Sequence, residues 1–244
     1  MNLVLDIGNS RTKISVFRGS ELVKLLVRDF PDPEAVKQLI QEFPGADKAI
    51  ICSTKDYPEE LMNCLRQEIK FVIEFSHLTP VPVKVLYHTP ETLGKDRIAA
   101  VTGASLLFPG KDILVIDSGS AITYDFINSS GEYTGGNISP GLNMRFKALH
   151  HYTGRLPMVA PDQDYGFWGK DTFSAIRAGV QNGILFEMEG YIGHFKKIYK
   201  KMQVIFTGGD VNFFERKLKN SFFVDSNLVS KGLNRILEYN DKKI

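Results

Sequence analysis

The residues best placed to do chemistry begin at Asp6. The stretch Leu3-Val-Leu-Asp-Ile-Gly-Asn-Ser-Arg-Thr-Lys-Ile-Ser-Val-Phe17 predicts two strands joined by a tight turn over residues 8–11. Gly and Asn tolerate the positive φ such turns ask for. A turn with bare backbone N–H groups, an Asn, a Ser and Lys13 nearby has the composition of a phosphate cradle. Asp6, at its rim, can hold Mg²⁺ directly or through water. The same residues also suit an ordinary hairpin with a solvated Asp.

The pattern recurs 111 residues further on. Ile113-Leu-Val-Ile-Asp-Ser-Gly-Ser-Ala-Ile-Thr-Tyr-Asp-Phe126 places Asp117 over Asp6 and Gly119 over Gly8, and Glu132 falls over Glu21. Two copies of strand, Asp-x-Gly and strand predict a duplicated domain. Facing copies could grip a polyphosphate from both sides. A third stretch, Val204-Ile-Phe-Thr-Gly-Gly-Asp210, reads as strand, glycine turn and helix start. Glycines there let a flat ligand approach the backbone, which suits an adenosine pocket as well as a plain turn.

The elements that carry these residues follow from apolar spacing. The first half reads as three antiparallel strands, then helix 34–43, strand 48–52, helix 58–67, strands 71–75 and 83–87, and helix 96–107. The second half reads as strands 112–117, 121–126 and 133–139, helix 143–152, a loop, and a long helical pattern over 171–201. It closes with strand 203–207, helix 210–219, strand 222–224 and helix 227–239. An antiparallel meander followed by β-α alternation predicts mixed sheets in an α/β fold. The boundary near residues 108–111 predicts domains 1–110 and 111–244.

Composition narrows the class. The chain has 244 residues, 43% hydrophobic and 24% charged, as expected of a globular protein. A net charge of +2 argues against nucleic acid and membrane surfaces as partners. No apolar run approaches a spanning helix. Met1 leads straight into a strand, which predicts no signal peptide. Cys52 and Cys64 form no CxxC pair, which predicts a reduced, cytoplasmic protein without a zinc site. A Walker A loop is absent, because Gly94-Lys-Asp, Gly110-Lys-Asp and Gly169-Lys-Asp carry Asp where Ser or Thr is needed.

The order of hairpin, second hairpin and strand-Gly-Gly resembles the acetate and sugar kinase, Hsp70 and actin superfamily. The fold this implies is two ribonuclease H-like domains, the actin-like ATPase fold, with ATP in the cleft between them. Within it, Tyr87-His-Thr-Pro-Glu-Thr-Leu-Gly-Lys-Asp-Arg97 resembles a segment of type III pantothenate kinases. So do Gly135-Gly-Asn-Ile-Ser-Pro-Gly141 and Gly169-Lys-Asp-Thr172, the latter followed by Ala175, Ile176 and Gly179. Three positions depart from the family pattern. Ser120 and Ser10 stand where Thr is common, and Asp171 stands where Asn is usual.

The resemblance implies ATP-dependent phosphorylation of pantothenate, the first step of coenzyme A synthesis. It implies that Asp6, Ile7, Gly8, Asn9, Ser10, Arg11, Thr12 and Lys13 hold the ATP phosphates and Mg²⁺, and that Ser120 contacts the nucleotide. It places pantothenate against Tyr87, Gly94, Lys95, Asp96, Arg97 and Thr172, with Asp96 as the base for the primary hydroxyl. It further implies a homodimer and a monovalent cation, K⁺ or NH₄⁺, with Asp117 as a ligand.

Plainer uses stand beside these. Asp96 and Thr172 could cap helices, Arg97 could pair at the surface, and Tyr87 could be a core aromatic. Gly179, Gly183, Gly190 and Gly193 share one helix side, which predicts close approach either to the chain's own sheet or to a second subunit. A non-catalytic nucleotide-binding regulator, or a kinase of another small alcohol, would suit the same fold.

Overall fold

The computed structural model of the chain describes residues 1–241. The chain forms two compact units that change over at Gly110 and Lys111.

The first unit opens with β1 (Asn2–Ile7), β2 (Thr12–Arg18) and β3 (Glu21–Arg28), then α1 (Pro33–Glu42), β4 (Lys48–Ser53), α2 (Glu59–Glu68) and β5 (Phe71–Glu74). The strand order β3-β2-β1-β4-β5 makes a mixed sheet, antiparallel on one side of β1 and parallel on the other. Alternation sorts its faces. Leu3, Leu5 and Ile7 join Val36 and Leu39 of α1 and Leu61 and Leu65 of α2 in one buried cluster. Val4 and Asp6 therefore face the other way.

A two-residue strand, β6 (Lys84–Val85), and α3 (Lys95–Leu107) complete this part. The predicted strand 83–87 is reduced to β6, which stays out of the first sheet. It pairs in parallel with Glu132 and Tyr133, through Lys84 N–H to Gly131 O and Leu86 N–H to Tyr133 O.

The second unit repeats the plan with β7 (Ile113–Ser118), β8 (Ala121–Ile127), β9 (Glu132–Pro140), α4 (Leu142–His151), α5 (Thr172–Ile198), β10 (Gln203–Thr207), the single turn α6 (Val211–Phe214) and β11 (Phe223–Val224). Its order, β11-β10-β7-β8-β9, is that of the first sheet strand for strand. Leu114 and Ile116 pack with Phe146 of α4 and with Ile176, Val180, Ile184, Met188 and Ile192 of α5. The predicted helix 210–219 shortens to α6. The glycine side of α5 does not meet the sheet, because Ile, Val and Met occupy that side.

The last helix, α7 (Leu228–Asp241), packs in the first unit, as does Ser130–Thr134. The span 111–244 thus gives its final helix to the other half, and its last three residues lie outside the described ones. The reason is packing. Leu228, Leu233, Ile236 and Leu237 are fully buried, and α7 lies on α3, β1 and β4. A Cβ at Gly232 would strike the Ala99 carbonyl, so the two helices touch backbone to backbone. Asn2 Nδ2 donates to Asn234 Oδ1 at 2.8 Å, and Asn234 Nδ2 donates to Gly19 O at 2.9 Å. Among the described residues no helix is long and apolar enough to cross a membrane.

Candidate active site

Strand pairing sets Asp6 between two neighbours. Lys13 stands opposite it on β2 and Cys52 beside it on β4. All three share the sheet face away from α1 and α2. Burial pushes the Asp6 carboxyl up to about 6; Lys13 opposes this and the charge of Asp96 adds to it. Burial also pushes the Cys52 thiol well up, with Asp6 and Asp96 adding and Lys95 opposing. The N-terminal turn of α3 is therefore close enough for its charges to act on Asp6 and Cys52. A thiol this basic is inert.

Asp96 is the second residue of α3, and Gly94 occupies the cap position. Capping is thus not what Asp96 supplies; its Oδ1 accepts from Arg97 N–H at 2.9 Å. A Cβ on Gly94 would sit 2.6 Å from Asp96 Oδ1 and 3.3 Å from Arg97 Cδ, so a side chain there would displace both. Arg97 is buried, which excludes the surface pair. Its guanidinium lies 5.9 Å from the Tyr87 ring centroid, within reach of a cation–π contact. Tyr87 stacks on Tyr133 at 6.4 Å.

The first turn closes through Gly8 N–H to Arg11 O at 3.0 Å and leaves Asn9, Ser10 and Arg11 exposed. Ile7 and Thr12 point their side chains to the other sheet face. They can offer only backbone to a ligand on the Asp6 side, and the buried Thr12 hydroxyl has no partner. Among the described residues no three His, Cys, Asp or Glu are grouped to hold a metal. One carboxylate suits Mg²⁺ that arrives on phosphates and keeps several of its waters.

In the second unit Asp117 is the next-to-last residue of β7, on the face away from α5. Thr123 stands opposite it and Thr207 beside it. The second turn is one residue shorter than the first, so Thr123, not Tyr124, holds the place of Lys13. Gly208 has φ 101°, and a Cβ there would strike Ser118 O and come within 2.5 Å of Asp117 Oδ1. Only glycine lets this loop lie against Asp117. Ser120 is exposed in the turn, and its carbonyl accepts from Gly141 N–H at 3.2 Å.

Thr172 opens α5 and lines a groove of about 870 Å³ with Arg145, Tyr152, Leu156 and Gly179. Asp171, not Thr172, caps α5; its Oδ1 accepts from Ser174 N–H at 3.0 Å, and these bonds hold its carboxyl below the usual range.

Two sets of contacts escaped sequence reasoning, which marks Arg145 only as a basic residue near the loop. Arg145 donates to Ser139 Oγ at 2.9 Å, to Pro140 O at 2.8 Å and to Glu187 of α5. Lys55 donates to Asn9 O on the first turn at 3.3 Å. The repeat register carried a signal for Lys55, since it lies just after the strand matching that of Gly208 and Gly209. Arg145 and Glu187 are 42 residues apart with no spacing rule to link them.

Known proteins share this architecture and sequence. In structure the chain is similar to a protein described as a Baf family transcriptional activator from Campylobacter jejuni, with TM-score 0.62 and 26% identity over 98% of this chain and 99% of that one. It also shares its fold, at TM-score 0.54 and 12% identity, with the activator of 2-hydroxyisocaproyl-CoA dehydratase from Clostridium difficile, covering 100% of this chain and 97% of that one. In sequence it is 48% identical to a type III pantothenate kinase of Phocaeicola vulgatus over 99% of this chain and all of the relative. It is 47% identical to one from Bacteroides fragilis over the whole of both. The family model for type III pantothenate kinase matches residues 2–194, and the chain belongs to that family.

Proposed function

We propose that the chain transfers the terminal phosphoryl group of ATP to the primary hydroxyl of pantothenate, giving 4′-phosphopantothenate for coenzyme A synthesis. The observation that carries this reading is the meeting of Asp6, Lys13 and the start of α3 on one sheet face, where Asp96 acts on Asp6. A phosphoryl transfer needs an anchored polyphosphate, a cation to offset its charge and a carboxylate near the acceptor hydroxyl.

In this reading residues 6–13 hold the phosphates, with Asn9, Ser10 and Arg11 offering backbone N–H groups. Mg²⁺ on the nucleotide would offset phosphate charge, and the Asp6 carboxylate would hold it, directly or through water. Asp96 accepts the hydroxyl proton, while Gly94, Lys95, Arg97 and Tyr87 position pantothenate. Arg97, always charged and buried, suits the substrate's carboxylate. Ser120 contacts the nucleotide, and Gly209, where a Cβ would meet nothing within 4 Å, leaves room for adenosine.

Asp117, with Thr123 and Thr207 as strand neighbours, offers the hard oxygens a K⁺ or NH₄⁺ ion takes. The glycine side of α5 supports a homodimer, in which Thr172 completes the pantothenate contacts. Buried, unpaired Cys52 and Cys64 suit the cytoplasm.

A coupled assay of ADP formation tests the reading. Turnover is expected with ATP, Mg²⁺, K⁺ and pantothenate together, and to fall when sodium replaces potassium. Background turnover with pantothenate across all salts would leave a nucleotide-binding regulator instead.

A further inference from the structure

The duplication extends past the hairpins to the loop that leaves the neighbouring parallel strand. In the second unit this loop is Gly208-Gly209-Asp210, and Asp210 N–H donates to Ser118 O at 2.9 Å. In the first it is Ser53-Thr54-Lys55. Thr54 donates twice to Ile7 O, from N–H at 3.0 Å and from Oγ1 at 3.3 Å. Ile7 and Ser118 are equivalent, each following its aspartate. Both loops are thus fastened to the carbonyl next to the carboxylate. Where the second loop has Gly208, Gly209 and the carboxylate of Asp210, the first has two hydroxyls and the ammonium of Lys55.

Ser53 Oγ bonds both the N–H and the carbonyl of Lys55, so the lysine backbone is fixed over the turn. Its side chain is half-buried, and its Nζ donates to Asn9 O at 3.3 Å. Lys13 already opposes Asp6, so the net positive charge of the turn rests on Arg11 and Lys55.

We propose that Lys55 is a phosphate-binding residue of the first turn, donating to an oxygen of a bound nucleoside triphosphate. The inference rests on reading residues 6–13 as the phosphate turn. An ammonium has three donors, so Lys55 can keep Asn9 O and add an oxyanion. An oxyanion attracts the ammonium through a full charge where the carbonyl offers only a dipole, so the added bond is the stronger of the two.

The test compares Lys55→Gln and Lys55→Arg with the wild type. Calorimetry measures binding of Mg²⁺ with a non-hydrolysable ATP analogue, steady-state assays give both KM values, and a melt checks the fold. Lys55→Gln is expected to weaken the analogue about ten-fold or more and to raise KM for ATP equally. KM for pantothenate and the melting point should stay put, and Lys55→Arg should restore binding. Wild-type affinity in Lys55→Gln overturns the proposal. So does a loss shared by both substrates, accompanied by a lower melting point and not rescued by Arg, because Lys55 would then only brace the loop. Lys55-dependent nucleotide binding in a protein that leaves pantothenate untouched would uphold Lys55 and remove the kinase reading alone.

Discussion

Lys13 stands directly opposite Asp6 across the β1–β2 ladder, yet Asp6 keeps its proton up to a pH of about 6. Burial outweighs the lysine. In the unfolded chain the same carboxyl ionises near 3.8, so the folded state binds this proton more tightly. Ionised Asp6 therefore weakens the nucleotide-free fold. The penalty is absent below the unfolded value, grows between the two, and is complete above about 6. It reaches ~3 kcal/mol at most, and water screening lowers that figure.

Asp6→Asn is accordingly expected to be more stable than wild type in mildly basic buffer, with the gap closing as pH falls through the acidic range. The same variant should bind Mg²⁺-ATP poorly. Urea unfolding without nucleotide at both pH values checks the first half, and calorimetry checks the second. A stability gap that ignores pH would remove charge as its cause.

Asp96→Asn is expected to lower kcat by about 10²–10⁴-fold, the usual loss for a general base. KM for ATP should change little. Removing the charge also relieves one of the two influences that keep Asp6 protonated. Nucleotide binding in weakly acidic buffer should therefore hold or tighten, not fall. Single-turnover rates with separate binding curves distinguish this from a variant whose helix α3 has simply shifted.

The duplicated fold was legible because strand alternation and the Asp-x-Gly turns recur together. Even the matched sheet orders follow from that repeat. The sequence shift of 111 was good for β1 against β7, but not for β2 against β8. The second turn is a residue shorter, and one deletion moves Thr123 under Asp117. The placement of α7 was not legible, because its apolar stripe says that it packs and not where. What decides is Gly232 against Ala99 and Asn234 against Asn2, contacts over more than a hundred residues of chain. At the site, Asp96 and Arg97 could be named from their neighbours. That Thr12 turns its hydroxyl away follows only from the register.

Arg145 and Glu187 predict a pH-dependent brace. Burial alone would raise the Glu187 carboxyl, but hydrogen bonds from Arg145, Ser139 and Tyr124 prevail and hold it below the usual range. A depressed acid adds stability above its ordinary ionisation range and loses it as pH falls through the folded value. Arg145→Met removes that support and leaves a partly buried carboxylate, at a cost of about 1–3 kcal/mol. The difference from wild type should be full at neutral pH and shrink in acid, followed by urea unfolding. A constant difference would mean that Arg145 matters for its packing and not its charge.

The last prediction concerns the side of α5 that carries its four glycines. A Cβ on Gly179, Gly183, Gly190 or Gly193 would meet no atom within 4 Å. At 100° per residue these glycines fall together, and the exposed Phe186 lies among them. Each glycine weakens the helix by about 1 kcal/mol against Ala, and packing within the chain gives no return for it. A second copy of α5 crossing at this side would, because glycine lets two helix backbones approach closely. Gly183→Leu has room in the isolated chain, so its circular dichroism should match wild type. Sedimentation velocity at micromolar concentration should nevertheless shift it from dimer toward monomer, and turnover of pantothenate should fall with it. Gly183→Leu that stays a dimer, or a wild type that is a fully active monomer, would free this side of α5 from any role in assembly.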